Sequence, residues 1–142
     1  MQKDSLLLDN QLCFAIYAGT RQMTKIYKPY LDRLGLTYTQ YISLLVLWEE
    51  DKITVKNLGQ KLYLDSGTLT PLLKKLEIMN FIVRTRDKND NRNVLITLTE
   101  SGRILKNKAY EIPNKVFSHI GLSRADAISL RDDLKKMLNS IG

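Results

Sequence analysis

The sequence predicts a mainly α fold with one small β-hairpin, and three observations carry that prediction. Apolar residues recur at helical spacing along most of the 142 residues. The period drops to two only after Asn80. Hydroxyl or Asp residues stand just ahead of most helical runs, where N-caps belong. Composition agrees: 44% hydrophobic and 26% charged residues make an ordinary globular chain, long enough to bury a core without disulfides or a structural metal. No apolar run reaches the ~20 residues of a membrane span. The opening MQKDSLLLDN lacks the apolar stretch and small-residue cleavage site of a secretory signal. One Cys and one His exclude a disulfide framework within the chain and a Cys/His zinc site. Neither cofactor, metal nor membrane partner is expected, and the expected location is cytoplasmic.

The elements follow in order. Roughly Ser5 to Leu34 reads as helix, with Leu12, Ile16, Met23, Ile26, Tyr30 and Leu34 on one stripe. Pro29 must bend or interrupt it, since proline removes a donor and crowds the preceding turn, and Gly35 ends it. Thr37 is placed to cap the apolar helix YTQYISLLVLWEE, Thr54 to cap VKNLGQKLY, and Asp65-Ser66 to cap GTLTPLLKKLEIMN. Beyond Asn80, Arg84 and Arg86 alternate with Val83 and Thr85, then Val94, Ile96 and Leu98 with Leu95 and Thr97. With the polar turn Asp87 to Asn93 between them, these runs read as a hairpin. Thr99 is placed to cap ESGRILKNKAYEI, which meets Pro113. Ser123 is placed to cap RADAISLRDDLKKMLNSI, with apolar Ala127, Leu130, Leu134, Met137, Leu138 and Ile141.

A short helix, a tight turn, a second helix and a basic hairpin make a winged helix-turn-helix, a DNA-reading module. Charge points the same way. The chain carries Lys+Arg 22 against Asp+Glu 15, a formal +7, which suits a polyanionic partner although a generic basic surface would look alike. Between Thr54 and Leu98 eight basic residues meet four acidic ones, so over half the net charge lies in the middle third. The long flanking helices hold more apolar surface than a small winged core covers, and dimerisation accounts for it.

The stretches LTYTQYISLLVLWEE, VKNLGQKLYLDSGTLTPLLKKLE and VRTRDKNDNRNVLITLTESG strongly resemble the MarR family of transcriptional regulators. NQLCFAIY and YKPYLDRLGLTY narrow the resemblance to its OhrR branch, the thiol-based organic hydroperoxide sensors. The likeness runs through nearly the whole chain and is weakest after Pro113. It implies one MarR-type domain over residues 1–142, with 1–34 and 103–142 mainly dimerisation helices and 37–98 the winged helix-turn-helix core. It further implies a homodimeric repressor on pseudo-palindromic double-stranded operator DNA, released when its N-terminal cysteine is oxidised, with organic hydroperoxide and a low-molecular-weight thiol as signals.

In the helix from Ser66, Leu69, Leu72, Leu73, Leu76 and Met79 form the inward stripe, while Ser66, Thr70 and Lys74 share the opposite face. Small hydroxyls let such a helix approach base edges, and its free amides favour phosphate. Ser66, Thr68, Thr70, Lys74 and Lys75 are therefore candidate DNA contacts, with capping and solvated charge as the plain alternative. Pro71 inside this helix has no account beyond a local bend. On the hairpin, Asp90 and Arg92 match the family's Asp-x-Arg, in which the acid orients an arginine into the minor groove; a surface ion pair is the plain alternative. Arg84, Arg86 and Lys88 read as phosphate contacts or solvated charge.

A lone Cys is most often a small buried hydrophobe, but Cys13 has Tyr17 one turn on, and five of the seven tyrosines fall between residues 17 and 41. Cys13 and Tyr27 are about 21 Å apart along a continuous helix, so Tyr27 cannot touch its own Cys13. In a crossed or antiparallel dimer it can meet the partner's, and Tyr38 can reach the same place. The family pattern places residues matching Tyr17, Tyr27 and Tyr38 around the reactive cysteine, the latter two from across the dimer. Phenol donors stabilise a thiolate, and the apolar Leu12, Phe14, Ala15 and Ile16 favour organic over polar peroxide. With no second Cys in the chain, a disulfide to a resolving cysteine is excluded except as a Cys13–Cys13 pairing, and the one-cysteine route leads to sulfenic acid, then a mixed disulfide with a small thiol, a sulfenamide or over-oxidation.

Three other readings stay open: a MarR protein controlled by a small phenolic ligand with Cys13 incidental, a thiol peroxidase using Cys13 catalytically, and a scaffold using only the terminal helices. A peroxidase has no need of a basic wing, and a scaffold leaves the hairpin unexplained. No catalytic residue is assigned, His119 and Trp48 reading as surface or packing positions.

Overall fold

The computed structural model describes residues 4–90 and 92–142; of the expected turn, Asn91 lies outside the described residues. The elements are α1 (Leu12–Asp32), α2 (Tyr38–Glu49), β1 (Ile53–Thr54), α3 (Val55–Leu62), α4 (Ser66–Ile78), β2 (Ile82–Arg86), β3 (Val94–Leu98), α5 (Glu100–Ala109), α6 (Ile112–Phe117) and α7 (Arg124–Ile141). The fold is mainly α with a small sheet, as the sequence predicts.

The N-terminus departs from a helix beginning near Ser5. Two short 3-10 turns, Asp4–Leu6 and Leu8–Asn10, precede α1. Side-chain amides are the reason: Gln11 Nε2 donates to the carbonyls of Ser5 and Leu7 at 2.7 and 2.8 Å, and Asn10 Nδ2 to that of Asp4 at 2.8 Å. Such local bonds offer the backbone an alternative to the helix ladder. Nor does Pro29 interrupt α1, which runs on to Asp32. Proline in a helix interior costs about 3 kcal/mol, but Ile26, Tyr27, Tyr30 and Leu31 around it pack on the core, and each well-buried apolar side chain contributes ~1.5–3 kcal/mol. Gly35 then ends the helix at φ 72, letting the Leu36 amide reach the Leu31 carbonyl at 3.1 Å.

All five predicted caps form. Thr37 Oγ1 accepts from the Gln40 amide while Gln40 Oε1 accepts from the Thr37 amide, a capping box. Thr54, Asp65, Thr99 and Ser123 accept from the amides of Asn57, Thr68, Gly102 and Asp126 at 2.7–3.1 Å. Between α3 and α4 the chain turns on Tyr63 in the left-handed region, φ 56. Gly59 makes that turn possible, since a Cβ there would stand 2.7 Å from the Leu64 carbonyl oxygen.

The sheet has three strands rather than two, in the order β1-β3-β2, all antiparallel. β1 is too short for its alternation to show in the sequence. It is fixed by pairing Ile53 with Ile96 and Thr54 with Leu95. Asp51 braces this corner: its Oδ1 accepts from the Leu98 amide at 2.9 Å and its Oδ2 from Arg103 Nη2 at 3.2 Å. The expected helix through Ile112 divides in two. α5 stops at Ala109, and Pro113 sits in the first turn of α6, where its missing amide is no loss.

One core joins the end of α1, α2, α3, α4, the sheet, α5 and α6 through Leu31, Leu44, Leu58, Leu73, Ile96, Leu105 and Val116, all buried. α7 stands outside it: none of its 18 residues is buried.

Candidate nucleic-acid interface and thiol site

The recognition-helix candidates are freed by the cap. Asp65 supplies the N-cap oxygen, so the Ser66 side chain is not needed for it; Ser66 and Thr68 both lie exposed, and the Thr68 amide donates to Asp65 Oδ1 at 2.7 Å. The Thr68 amide and hydroxyl bonds hold the Asp65 carboxyl below the usual carboxylate range. Thr70 is also exposed, but its hydroxyl already donates to the Ser66 carbonyl at 2.7 Å, leaving it an acceptor. Lys74 and Lys75 are exposed as well. The inward stripe is as predicted, with Leu69, Leu72, Leu73 and Leu76 buried.

The wing cations divide into two kinds. Arg84 is half-buried and turned onto α4, its Nε and Nη2 donating to Glu77 Oε1 at 3.3 and 3.1 Å while its amide donates to Glu77 Oε2. These bonds lower the Glu77 pKa, the side-chain bond most. Arg92 lies at the tip with its side chain 90% exposed. Asp90 nevertheless aims it: Oδ1 accepts from Arg92 Nε and its amide at 3.1 Å, and Oδ2 from Nη2 at 3.3 Å. The Arg92 bonds hold the Asp90 carboxyl low, so the pair stays ionic near neutral pH. Arg86 and Lys88 are exposed along the same wing. Between wing and recognition helix runs a groove of about 300 Å³, lined among others by Lys56, Thr70, Arg84, Arg92 and Asn93.

Cys13 lies exposed in the first turn of α1. On its face Tyr17 follows, 58% exposed, with its ring 6.5 Å from Phe14 and under the Arg21 guanidinium at 5.5 Å. Tyr27 and Tyr38 do not join them. Their rings pack together at 5.0 Å, where α1 meets α2, and because α1 is unbroken Tyr27 sits about 21 Å along the helix from its own Cys13, with Tyr38 beside it. Sequence reasoning missed Tyr41, whose buried ring completes a triangle at 5.7 Å from Tyr27 and 6.2 Å from Tyr38. Its signal was the one-turn spacing from Tyr38 on α2. Burial, and then the neighbouring phenols, push the Tyr27 pKa up to about 12. Burial also raises Tyr38 and Tyr41. All three therefore remain protonated donors throughout the neutral range.

His119, read from sequence as a bland position, pairs its Nε2 with the Tyr30 hydroxyl at 3.2 Å. No group of three potential metal ligands occurs among the described residues, and no described helix is long and apolar enough to cross a membrane.

Residues 25–109 match the family described as transcriptional regulator SarA/Rot. The chain is 50% identical over 138 residues to the organic hydroperoxide resistance transcriptional regulator of Bacillus subtilis strain 168, spanning 97% of this chain and 89% of that protein. Among solved structures, reduced AbfR of Staphylococcus epidermidis bound to DNA superimposes with a TM-score of 0.82 at 35% identity, over 99% of both chains. Disulfide-formed AbfR superimposes less closely, with a TM-score of 0.67 at 35% identity over 97% of both. A winged helix-turn-helix core, a full-length relative at half identity and a matching fold from end to end lead to one conclusion: the chain belongs to the MarR and SarA/Rot family of winged-helix transcriptional regulators, within the OhrR-like organic hydroperoxide branch.

Proposed function

We propose that this regulator is a homodimeric repressor that holds pseudo-palindromic operator DNA while Cys13 is reduced and leaves it once an organic hydroperoxide oxidises Cys13. The observation that carries the reading is the division of the thiol site. One α1 presents an exposed thiol at one end and donor phenols at the other, too far apart to meet within a chain. A second chain brings the two halves together, so sensing and dimer geometry become one property. The exposed apolar faces of α1 and α7, with Leu12 at 65%, Leu130 at 45% and Ile141 at 76% exposure, supply surface for that contact. Their burial is favourable at ~25 cal/mol per Å².

On the DNA side, Ser66, Thr68 and Lys74 belong in the major groove and Arg92, aimed by Asp90, in the minor groove. The closer superposition on the DNA-bound reduced relative than on the disulfide-formed one supports taking the described conformation as the binding one.

The chemistry balances simply. The Cys13 thiolate attacks the distal peroxide oxygen, the O–O bond breaks, and the leaving alkoxide takes a proton to become an alcohol. Cys13 is left as sulfenic acid. A low-molecular-weight thiol then displaces hydroxide, forming a mixed disulfide and water. Turning a bound population from 99:1 to 1:99 requires about 5.5 kcal/mol, more than the ~1 kcal/mol of one lost phenol hydrogen bond. The bulky adduct, displacing Tyr27 and Tyr38 together, is the more complete release signal.

The test is gel retardation on the promoter of the protein's own gene, with cumene hydroperoxide alone and with a small thiol added. Release is expected to be partial in the first case and complete in the second, and Cys13→Ser is expected to bind and ignore both. A serine variant released at the wild-type dose would transfer control to a ligand such as a small phenol.

A further inference from the structure

A cation outside the candidate set occupies the centre of the DNA-facing side. Lys56, in the first turn of α3, lines two depressions. One is the groove of about 300 Å³ between recognition helix and wing. The other, of about 620 Å³, lies between α3 and the start of α4 and is bordered by Gln60, Tyr63 and Ser66. Among the described residues Lys56 and the neighbouring Val55 alone line both.

The chemistry of the wing groove is one-sided. Among the described residues its three cations are Lys56, Arg84 and Arg92, and no carboxylate lines it. Arg84 and Arg92 are each offset by an acid outside the groove, Glu77 and Asp90. Lys56 has no carboxylate partner among the described residues, so it carries the groove's uncompensated charge. Thr54 Oγ1 accepts the Asn57 amide as a cap, which leaves its own proton to donate. Asn93 lines the groove from the wing. Donors thus arrive from α3, its cap and the wing, and the hydroxyl acceptor that Thr70 offers from α4 is uncharged. A tetrahedral oxyanion, an acceptor on every side, is what such a groove takes.

We infer that this groove is the seat of one DNA backbone phosphate, held chiefly by Lys56, at the point where the strand passes from the major groove under α4 to the minor groove under the wing. The inference rests on the DNA-binding reading above and adds a residue to it. The first helix of a helix-turn-helix crosses the backbone rather than the bases, which is where α3 puts Lys56. A contact to phosphate positions the duplex without reading sequence. Lys56 therefore fixes the distance between the two reading elements, the recognition helix and the wing, and does not choose bases itself.

The test is equilibrium binding of the full chain to two labelled duplexes, the promoter of its own gene and a scrambled version of equal length and composition, over a salt series. Lys56→Gln is expected to weaken both duplexes by the same several-fold factor and to lower the slope of log affinity against log salt by about one per subunit. Lys56→Arg is expected to restore the slope. Thermal midpoint and response to hydroperoxide are expected to stay at wild type for both variants. An unchanged slope in Lys56→Gln overturns the phosphate seat, as does a loss confined to the promoter duplex, which would make Lys56 a base reader. Failure of the wild-type protein to bind either duplex would overturn the DNA-binding reading, a separate result.

Discussion

The winged core and the terminal helices solve the burial problem in opposite ways. From Tyr38 to Phe117 the chain closes on one core, and Leu44, Leu47, Leu58, Leu73, Leu76 and Ile96 are fully buried. α7 is longer than any helix of the core and buries nothing. The first half of α1 is similar, with Leu12, Phe14 and Tyr17 all exposed. Most helical stability in a protein comes from packing an apolar face rather than from propensity. The reading head thus carries its own stability, while α7 and the first half of α1 leave apolar faces exposed, the surface that the proposed homodimer would bury.

The largest effects should separate these regions. Leu73→Ala, at a fully buried core position, is expected to cost ~2–5 kcal/mol through lost transfer energy and a cavity, measured by denaturant unfolding at any protein concentration. The double variant Leu130→Glu, Leu138→Glu alters positions 45% and 37% exposed in the single chain. It is expected to leave the secondary structure of residues 37–117 intact and to turn dimer into monomer by sedimentation. A dimeric mass that survives both charges would break the comparison, because α7 would then have no pairing role.

A finer contrast lies inside the wing. Arg84 and Arg92 are both arginines with an acid at about 3.1 Å, yet one faces inward and the other outward. Arg92→Ala is expected to weaken operator binding by ~1–3 kcal/mol and to shift stability by less than about 0.5 kcal/mol. Arg84→Ala should show the reverse weighting, with a stability loss of ~0.2–1 kcal/mol suited to a partly exposed pair and a smaller effect on DNA. Thermal melts and binding curves on the two proteins decide it. Equal losses of affinity would mean that Arg84 leaves Glu77 to join the DNA.

What the sequence disclosed follows the range of the interaction. The five caps each close a loop of three residues, so type and spacing alone identify them. The inward stripe of α4 and the Asp90–Arg92 pair are equally local. Interactions across elements stayed hidden: β1 exists only through its pairing with β3, Arg84 turns to Glu77 on another element, and Tyr30 meets His119 from 89 positions away. The thiol site was half legible. Cys13 and the tyrosine crowd stand out by composition, whereas Tyr41 enters only because α2 folds back beside α1. The 3-10 turns before α1 show the converse, local amide bonds overriding a helical pattern that the apolar spacing suggested.

Tyr27 sits on the seam between the two regions, and the smallest predicted effect tests how firmly that seam is closed. Its phenol is pushed up to about 12 by burial first and by the neighbouring phenols second, against an unfolded value near 10. Below pH of about 10 the phenol is protonated in both states, so it adds no pH dependence there. Between about 10 and 12 the unfolded chain has released its proton and the folded chain has not, so unfolding is favoured increasingly as pH rises. Stability should therefore fall across that window, and the Tyr27→Phe variant should fall less steeply while matching wild type at neutral pH. Phenolate absorbance in the native protein should show tyrosines titrating later than the free amino acid. If Tyr27→Phe follows the wild-type alkaline curve, the Tyr27 ring is open to water, and the triangle with Tyr38 and Tyr41 is too loose to carry a displacement from the thiol site into α2.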